Sequence, residues 1–168
     1  MTPSSSSTEY PSSSVSPGID LDNLTARNQK RILVVDDEPD TVMLLKQLLI
    51  QHGFNVSGAS SGQEGLKKIA EIKPDLILLD IMMPEMDGMQ TLAEIRRTDH
   101  VPVIIISAMD QKGQIVKALE NGVDDYITKP FNNAEVIARV NAVLRRTSSS
   151  NLSLYSGRHL RIKNMIIG

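Results

Sequence analysis

Apolar residues follow two rhythms along this chain. The runs Ile32-Leu33-Val34-Val35, Leu76-Ile77-Leu78-Leu79 and Val103-Ile104-Ile105-Ile106 are uninterrupted, the mark of strands buried on both faces. Phe54-Asn55-Val56-Ser57 and Asp125-Tyr126-Ile127-Thr128 alternate instead, as strands with one wetter face do. Between these runs lie segments of helical period. On the first of them Val42, Leu45, Leu48, Leu49 and His52 share a face, while Lys46 and Gln51 lie away from it. The pattern predicts strands over about 31–36, 54–58, 75–80, 102–107 and 123–127, and helices over about 39–52, 62–72, 88–97, 111–121 and 133–146.

Start and stop signals fit these segments. Pro39 suits a first helical turn, where its missing N–H costs nothing, and His52-Gly53 supplies a stop. His52 reads as a helix-end residue near the negative pole of the helix dipole rather than a metal ligand. Ser61 with Glu64, and Asn132 with Glu135, have the spacing of capping boxes. Strands alternating with helices describe repeated βαβ units, an α/β fold with a doubly wound parallel sheet. Uninterrupted strands belong in the centre and alternating ones at the edges, and edges at two and five match the order 2-1-3-4-5, although alternation alone does not fix it. With right-handed crossovers the topological switch falls between strands one and three. Asp36 and Asp37, which close the first strand, then meet Asp80, which closes the third.

The 168 residues, 40% hydrophobic and 23% charged with a formal net charge of -2, suit one domain plus tails and carry no overall bias toward nucleic acid. The absence of cysteine excludes disulfides, thiolate metal sites and thiol catalysis. No apolar run approaches the roughly 18 residues of a membrane span and no signal peptide is visible, so a cytoplasmic location is expected. Residues 1–29 are rich in Ser and Pro and too poor in large apolar side chains to offset ordering, and read as a disordered arm. The acids Glu9, Asp20 and Asp22, with no basic residue before Arg27, argue against an Arg-rich transit peptide. Residues 30–146 form the expected domain. Residues 147–151 read as a polar linker, and 152–168 alternate about Ser156-Gly157 like a hairpin.

Ser107 and Lys129 follow the fourth and fifth strands, so three carboxylates, a hydroxyl and a lysine gather at the strand mouths. That set suits a hard cation and a phosphoryl group. Mg²⁺ keeps several waters and needs only one or two direct carboxylates, a task for Asp37 and Asp80, with Asp36 acting through water and a backbone carbonyl from the loop after Asp80 completing the set. Lys129 adds a mobile charge for phosphoryl oxygens, and a carboxylate is a competent nucleophile that gives an aspartyl phosphate. The plainer reading of any one Asp is a helix N-cap. Three acids at two strand ends favour the site.

The stretches Ile32-Leu33-Val34-Val35-Asp36-Asp37-Glu38, Pro74 to Asp80 with Met83-Pro84 and Asp87-Gly88, Val103 to Ala108, and Asp124 to Phe131 resemble a response-regulator receiver domain, closest to the OmpR/PhoB-type receivers of two-component systems. The resemblance implies a flavodoxin-like (βα)5 fold, dependence on Mg²⁺ and phosphotransfer from a sensor histidine kinase to Asp80. It assigns Asp37 and Asp80 as metal ligands with the Met82 backbone carbonyl, and Asp36 as an outer acid. Lys129 and Ser107 would contact the phosphoryl group, and Tyr126 would reposition with Ser107. It further implies a homodimer on phosphorylation through the fourth helix, fifth strand and fifth helix, with Ile115, Asp124, Asp125, Glu135, Arg139 and Arg146 on that face. Ile115 departs from the family there, since a basic residue is usual at its position and Lys112 or Lys117 would have to substitute.

Residues 152–168 resemble the first strands of a winged-helix effector, so the implied output is transcription through a DNA-binding part absent here, with a stand-alone receiver acting by protein contact as the alternative. An enzyme of the haloacid-dehalogenase type, turning over an aspartyl phosphate, is disfavoured. Such proteins separate their two first-strand acids by one residue, whereas Asp36 and Asp37 are adjacent. The expected part is therefore a regulatory phosphoacceptor, not an enzyme.

Overall fold

The computed structural model describes residues 22, 28–108 and 112–148. Most of the Ser/Pro-rich arm, the end of the linker and the 152–168 hairpin lie outside these residues. Five strands form one parallel sheet: β1 (Arg31–Val35), β2 (Asn55–Ala59), β3 (Leu76–Leu79), β4 (Val103–Ser107) and β5 (Asp125–Thr128). Their order is β2-β1-β3-β4-β5, as the aliphatic pattern predicts, and every neighbouring pair is parallel. The helices are α1 (Pro39–Gln51), α2 (Gly62–Ile72), α3 (Gly88–Thr98), α4 (Lys112–Glu120) and α5 over 133–148.

The uninterrupted strands are buried on both faces because helices cover both. Leu33, Val35, Ile77, Leu79, Val103 and Ile105 point to a layer with Ile69, Leu92, Ile95 and Ala118 from α2, α3 and α4. Ile32, Val34, Leu76, Leu78, Ile104 and Ile106 point to the opposite layer, with Leu45, Leu48 and Leu49 of α1 and Val136, Val140 and Val143 of α5. Burying one such side chain contributes roughly 1.5–3 kcal/mol, so this two-layer core dominates stability. His52 does end α1, with Nδ1 2.8 Å from the Leu48 carbonyl oxygen, but it is exposed rather than on the apolar face.

Helix starts follow the sequence in part. Ser61 accepts from the Glu64 amide, but the Glu64 carboxylate turns to the Ser60 amide and hydroxyl, so the reciprocal half of that box goes to the residue before. Asn132 accepts from the Ala134 amide, while Glu135 is drawn away by Arg139, and no box closes there. The complete box is at α3, where the Asp87 carboxylate accepts from the Gln90 amide and the Gln90 side chain accepts from the Asp87 amide.

Candidate functional site

The site sits at the carboxyl ends of β1, β3, β4 and β5, where the core strands run out into polar residues. Backbone pairing fixes the first two. The Asp36 amide donates to Ala59 O of β2 at 3.1 Å, and the Asp80 amide to Val35 O of β1 at 2.9 Å, so both carboxylates leave the sheet side by side. Asp37 projects next to them, half-buried. Carboxylate oxygens of Asp36, Asp37 and Asp80 all lie within 4.8 Å of one another.

Three acids this close require a counter-charge. Lys129, at the end of β5, supplies it: Nζ donates to Asp36 Oδ2 at 2.8 Å and to Asp80 Oδ2 at 3.2 Å, and stands 3.6 Å from Glu38 Oε2. The Lys129 amide donates to Ser107 O at 2.8 Å, which fastens β5 to β4 at this level. The peptide bond from Lys129 to Pro130 is cis. Burial pulls the Lys129 ammonium toward a lower pKa, but the Asp36 hydrogen bond and the Asp80 and Asp36 charges outweigh it and the net direction is up. Burial pushes the Asp36 carboxyl up, against the Lys129 and Glu38 hydrogen bonds. At the rim, the Thr41 hydroxyl and then Lys129 hold Glu38 below the usual carboxylate range.

The loop after β3 is shaped by close approach. A Cβ on Gly88 would stand 2.3 Å from both Asp80 O and Ile81 Cα, so only glycine lets the start of α3 lie against the residues it follows. The Met82 amide donates to Asp80 Oδ1 at 2.9 Å, which orients that carboxylate, while the Met82 side chain is exposed.

Ser107, fully buried at the end of β4, has a hydroxyl with no hydrogen-bond partner. A buried hydroxyl left unsatisfied costs about 1–3 kcal/mol, so a ligand oxygen reaching Ser107 would gain by satisfying it. Tyr126 on β5 is half-buried against the α2–α4 layer. Burial, then the Asp80 charge, raise its phenol pKa against a hydrogen-bonding pull from Ser107, which puts the phenol near that hydroxyl but outside hydrogen-bond geometry.

The residues expected on a dimer face are paired within the chain. Arg139 Nη1 donates to both Asp125 oxygens at 3.0 Å, and its Nε to Glu135 at 3.0 Å. Asp124 accepts from the Val103 amide at 2.8 Å and faces Arg96 at 3.7 Å, and Arg146 donates to the Asp124 carbonyl at 3.2 Å. Ile115 is half-buried on α4, Val116 and Leu119 are exposed beside it, and the Lys112 side chain lies outside the described residues. Two contributors carried no role in the sequence reading. Glu38 follows the acid pair three residues before Thr41, whose hydroxyl fixes its carboxylate. Arg96 reaches the Val101 and Gly122 carbonyls, a contact across 26 residues that no local pattern reveals.

Two buried acids with a half-buried third, a lysine from the end of β5 and a buried serine hydroxyl from the end of β4 thus converge at the carboxyl edge of the sheet. The response regulator receiver domain family matches residues 32–141, and this chain belongs to that family, as the receiver domain of a two-component response regulator. Among curated relatives it is 47% identical over 119 residues to the alkaline phosphatase synthesis transcriptional regulatory protein PhoP of Bacillus subtilis, covering 70% of this chain and 50% of that protein. It is 38% identical over 138 residues to the transcriptional regulatory protein TrcR of Mycobacterium tuberculosis, covering 82% and 53%. The chain thus spans about half the length of the curated relatives it matches. Among solved structures, the BeF3-activated N-terminal receiver domain of RstA from Klebsiella pneumoniae is similar at 34% identity and TM-score 0.66, covering 69% of this chain and 99% of that one. A two-component response regulator from Clostridium difficile is similar at 34% identity and TM-score 0.69, covering 71% and 98%.

Proposed function

We propose that this chain accepts a phosphoryl group on Asp80 from a sensor histidine kinase and relays the modification to its α4-β5-α5 face. The supporting observation is Lys129, whose ammonium bridges Asp36 and Asp80 in a buried pocket. In the step, an Asp80 carboxylate oxygen forms a bond to phosphorus. The bond from phosphorus to the donor's imidazole nitrogen breaks, its electron pair stays on that nitrogen, and the imidazole takes up a proton on leaving. Asp80 is oriented for this by the Met82 amide on Oδ1. Lys129 is already in hydrogen-bond contact with Asp80 Oδ2 and follows the charge onto the phosphoryl oxygens. The Ser107 hydroxyl gains the acceptor it lacks, and Tyr126, beside it, turns into the space released.

The donor set fits Mg²⁺, an all-oxygen site of clustered carboxylates: Asp37 and Asp80 would ligate directly with the Met82 carbonyl, and Asp36 through water. When bound, the dication offsets the repulsion between these acids and a phosphoryl dianion. Output is read as transcriptional because the curated relatives are named as transcriptional regulators and this chain covers about half of each. The phosphorylated form pairs as an isologous homodimer through Ile115, Asp124, Asp125, Glu135, Arg139 and Arg146, with the internal ion pairs exchanging partners across the two-fold axis.

Mass spectrometry of the intact chain after incubation with acetyl phosphate and Mg²⁺ tests the reading. A single labile phosphoryl adduct is expected, absent without divalent metal and absent in Asp80→Asn. An undiminished adduct in Asp80→Asn would overturn it.

A further inference from the structure

Glu38 occupies the N-cap position of α1, where an acidic side chain ordinarily turns back to accept a first-turn amide. It makes no such capping bond. Instead Oε2 accepts from the Thr41 hydroxyl at 2.9 Å and stands 3.6 Å from Lys129 Nζ, while the Glu38 amide donates to Asp36 Oδ1 at 2.9 Å. Backbone and carboxylate are each tied down, yet the side chain is 64% exposed, so a fixed negative charge stands at the pocket mouth. It lies outside the three-acid cluster, and its charge acts on the site only from the rim.

We infer that Glu38 is a positioning residue for phosphoryl transfer, holding the outer side of the Lys129 ammonium and setting how strongly the pocket attracts an anionic phosphodonor. This rests on Asp80 being the phosphoacceptor. Lys129 has three acids around it and must give up Asp80 Oδ2 to meet phosphoryl oxygens. Glu38 competes with them for that ammonium and repels the arriving dianion. An exposed charge pair of this kind is a modest effect, so the consequence is a tuned apparent affinity, with the chemistry left to Asp80 and Lys129.

The test is the rate of Asp80 labelling of the full chain against acetyl phosphate concentration, with Mg²⁺ saturation established separately for each variant. Glu38→Gln should lower the half-saturating donor concentration roughly two- to fivefold, leave the saturating rate within about twofold, and lose most of the difference in high salt, where exposed charges are screened. Thr41→Val keeps the charge but frees it, and its curve should lie between the other two. A half-saturating concentration unchanged or raised in Glu38→Gln, or a decrease that high salt does not reduce, overturns the inference. A Thr41→Val curve on top of wild type overturns the part given to the Thr41 tether. A wild-type chain that takes no label on Asp80 would overturn both readings together, whereas labelled wild type with an unmoved Glu38→Gln constant overturns this one alone.

Discussion

Arg139 meets Asp125 head-on within a single chain, one guanidinium nitrogen 3.0 Å from each carboxylate oxygen. The Arg139 side chain is 40% exposed and that of Asp125 25%, so water screens the contact and it contributes only about 0–1 kcal/mol. A contact that weak is easily traded for the same contact across a two-fold axis. Asp125→Ala is therefore expected to lower unfolding stability by no more than ~1 kcal/mol while weakening dimerisation of the beryllofluoride-treated chain. Urea titration and sedimentation velocity measure the two effects. A large stability loss with unchanged association would make the pair structural.

In the proposed dimer, adhesion would come from apolar residues, since Ile115, Val116 and Leu119 lie on α4 with the latter two exposed. Ile115→Arg is expected to shift the dimer constant of the activated chain more than Lys117→Ala does. Sedimentation of both variants at matched concentration decides it, and equal shifts would move the interface elsewhere.

Lys129 is the counter-charge that lets Asp36 and Asp80 stay buried at 2% and 5% exposure. Removing one member of a buried ionic cluster leaves uncompensated charge, so Lys129→Met is expected to cost on the order of 3 kcal/mol in metal-free buffer. If Mg²⁺ occupies this acid cluster as proposed, loss of the competing ammonium tightens its binding, so the ion should close much of that deficit. Denaturant melts with and without Mg²⁺ provide the comparison, and a deficit insensitive to metal would argue against a cation site at Asp36, Asp37 and Asp80.

Ser107→Ala removes a buried hydroxyl that has no partner. Because the unsatisfied group is itself a cost, the variant is expected to match or exceed wild type in stability, by up to ~1 kcal/mol, while phosphorylation-dependent NMR shifts around Tyr126 are lost. A clear destabilisation would mean the hydroxyl is satisfied in the resting state.

Glu64 gives the clearest dependence on pH. Hydrogen bonds from the Ser60 amide and hydroxyl, then from Lys68, lower its pKa from 4.5 to about 2. A carboxyl lowered on folding adds stability that is complete above the unfolded value and drains away as pH falls through the folded one. The stability gap between wild type and Glu64→Gln should therefore be constant at neutral pH and shrink between pH 4.5 and about 2. Guanidinium titrations across that window measure it, and a gap that persists at the acid end would place the stabilisation elsewhere.

The central and edge places of the strands were legible because the buried positions of β1 and β3, and all but Ser107 in β4, are aliphatic, whereas Asn55 and Asp125 mark the outer strands. The meeting of Asp36 and Asp80 was legible for a related reason: each follows directly on a strand, and those strands are neighbours, so the topology alone brings them together. What sequence spacing could not show was competition for partners. Glu135 has the spacing to cap α5, but an arginine one turn on offers a full charge, which outweighs a backbone amide. The Asp87 and Gln90 box is masked in the sequence because it opens inside the Met-rich loop with Gly88 as the first helical residue. Glu38 was missed because Lys129, the partner that gives it meaning, is far away in sequence.

Gly88 sits so close to Asp80 and Ile81 that a single methyl group there would collide with backbone and push the start of α3 off the residues that follow β3. A Gly62 Cβ would likewise meet Thr91 Oγ1 at 2.2 Å, and one on Gly65 would meet Val35 at 3.0 Å, so α2 is seated against α3 and β1 with no slack. Spacing on this side of Asp80 is thus set by backbone rather than by side chains, and even the smallest L side chain at Gly88 would act as a wedge between the exit of β3 and the start of α3.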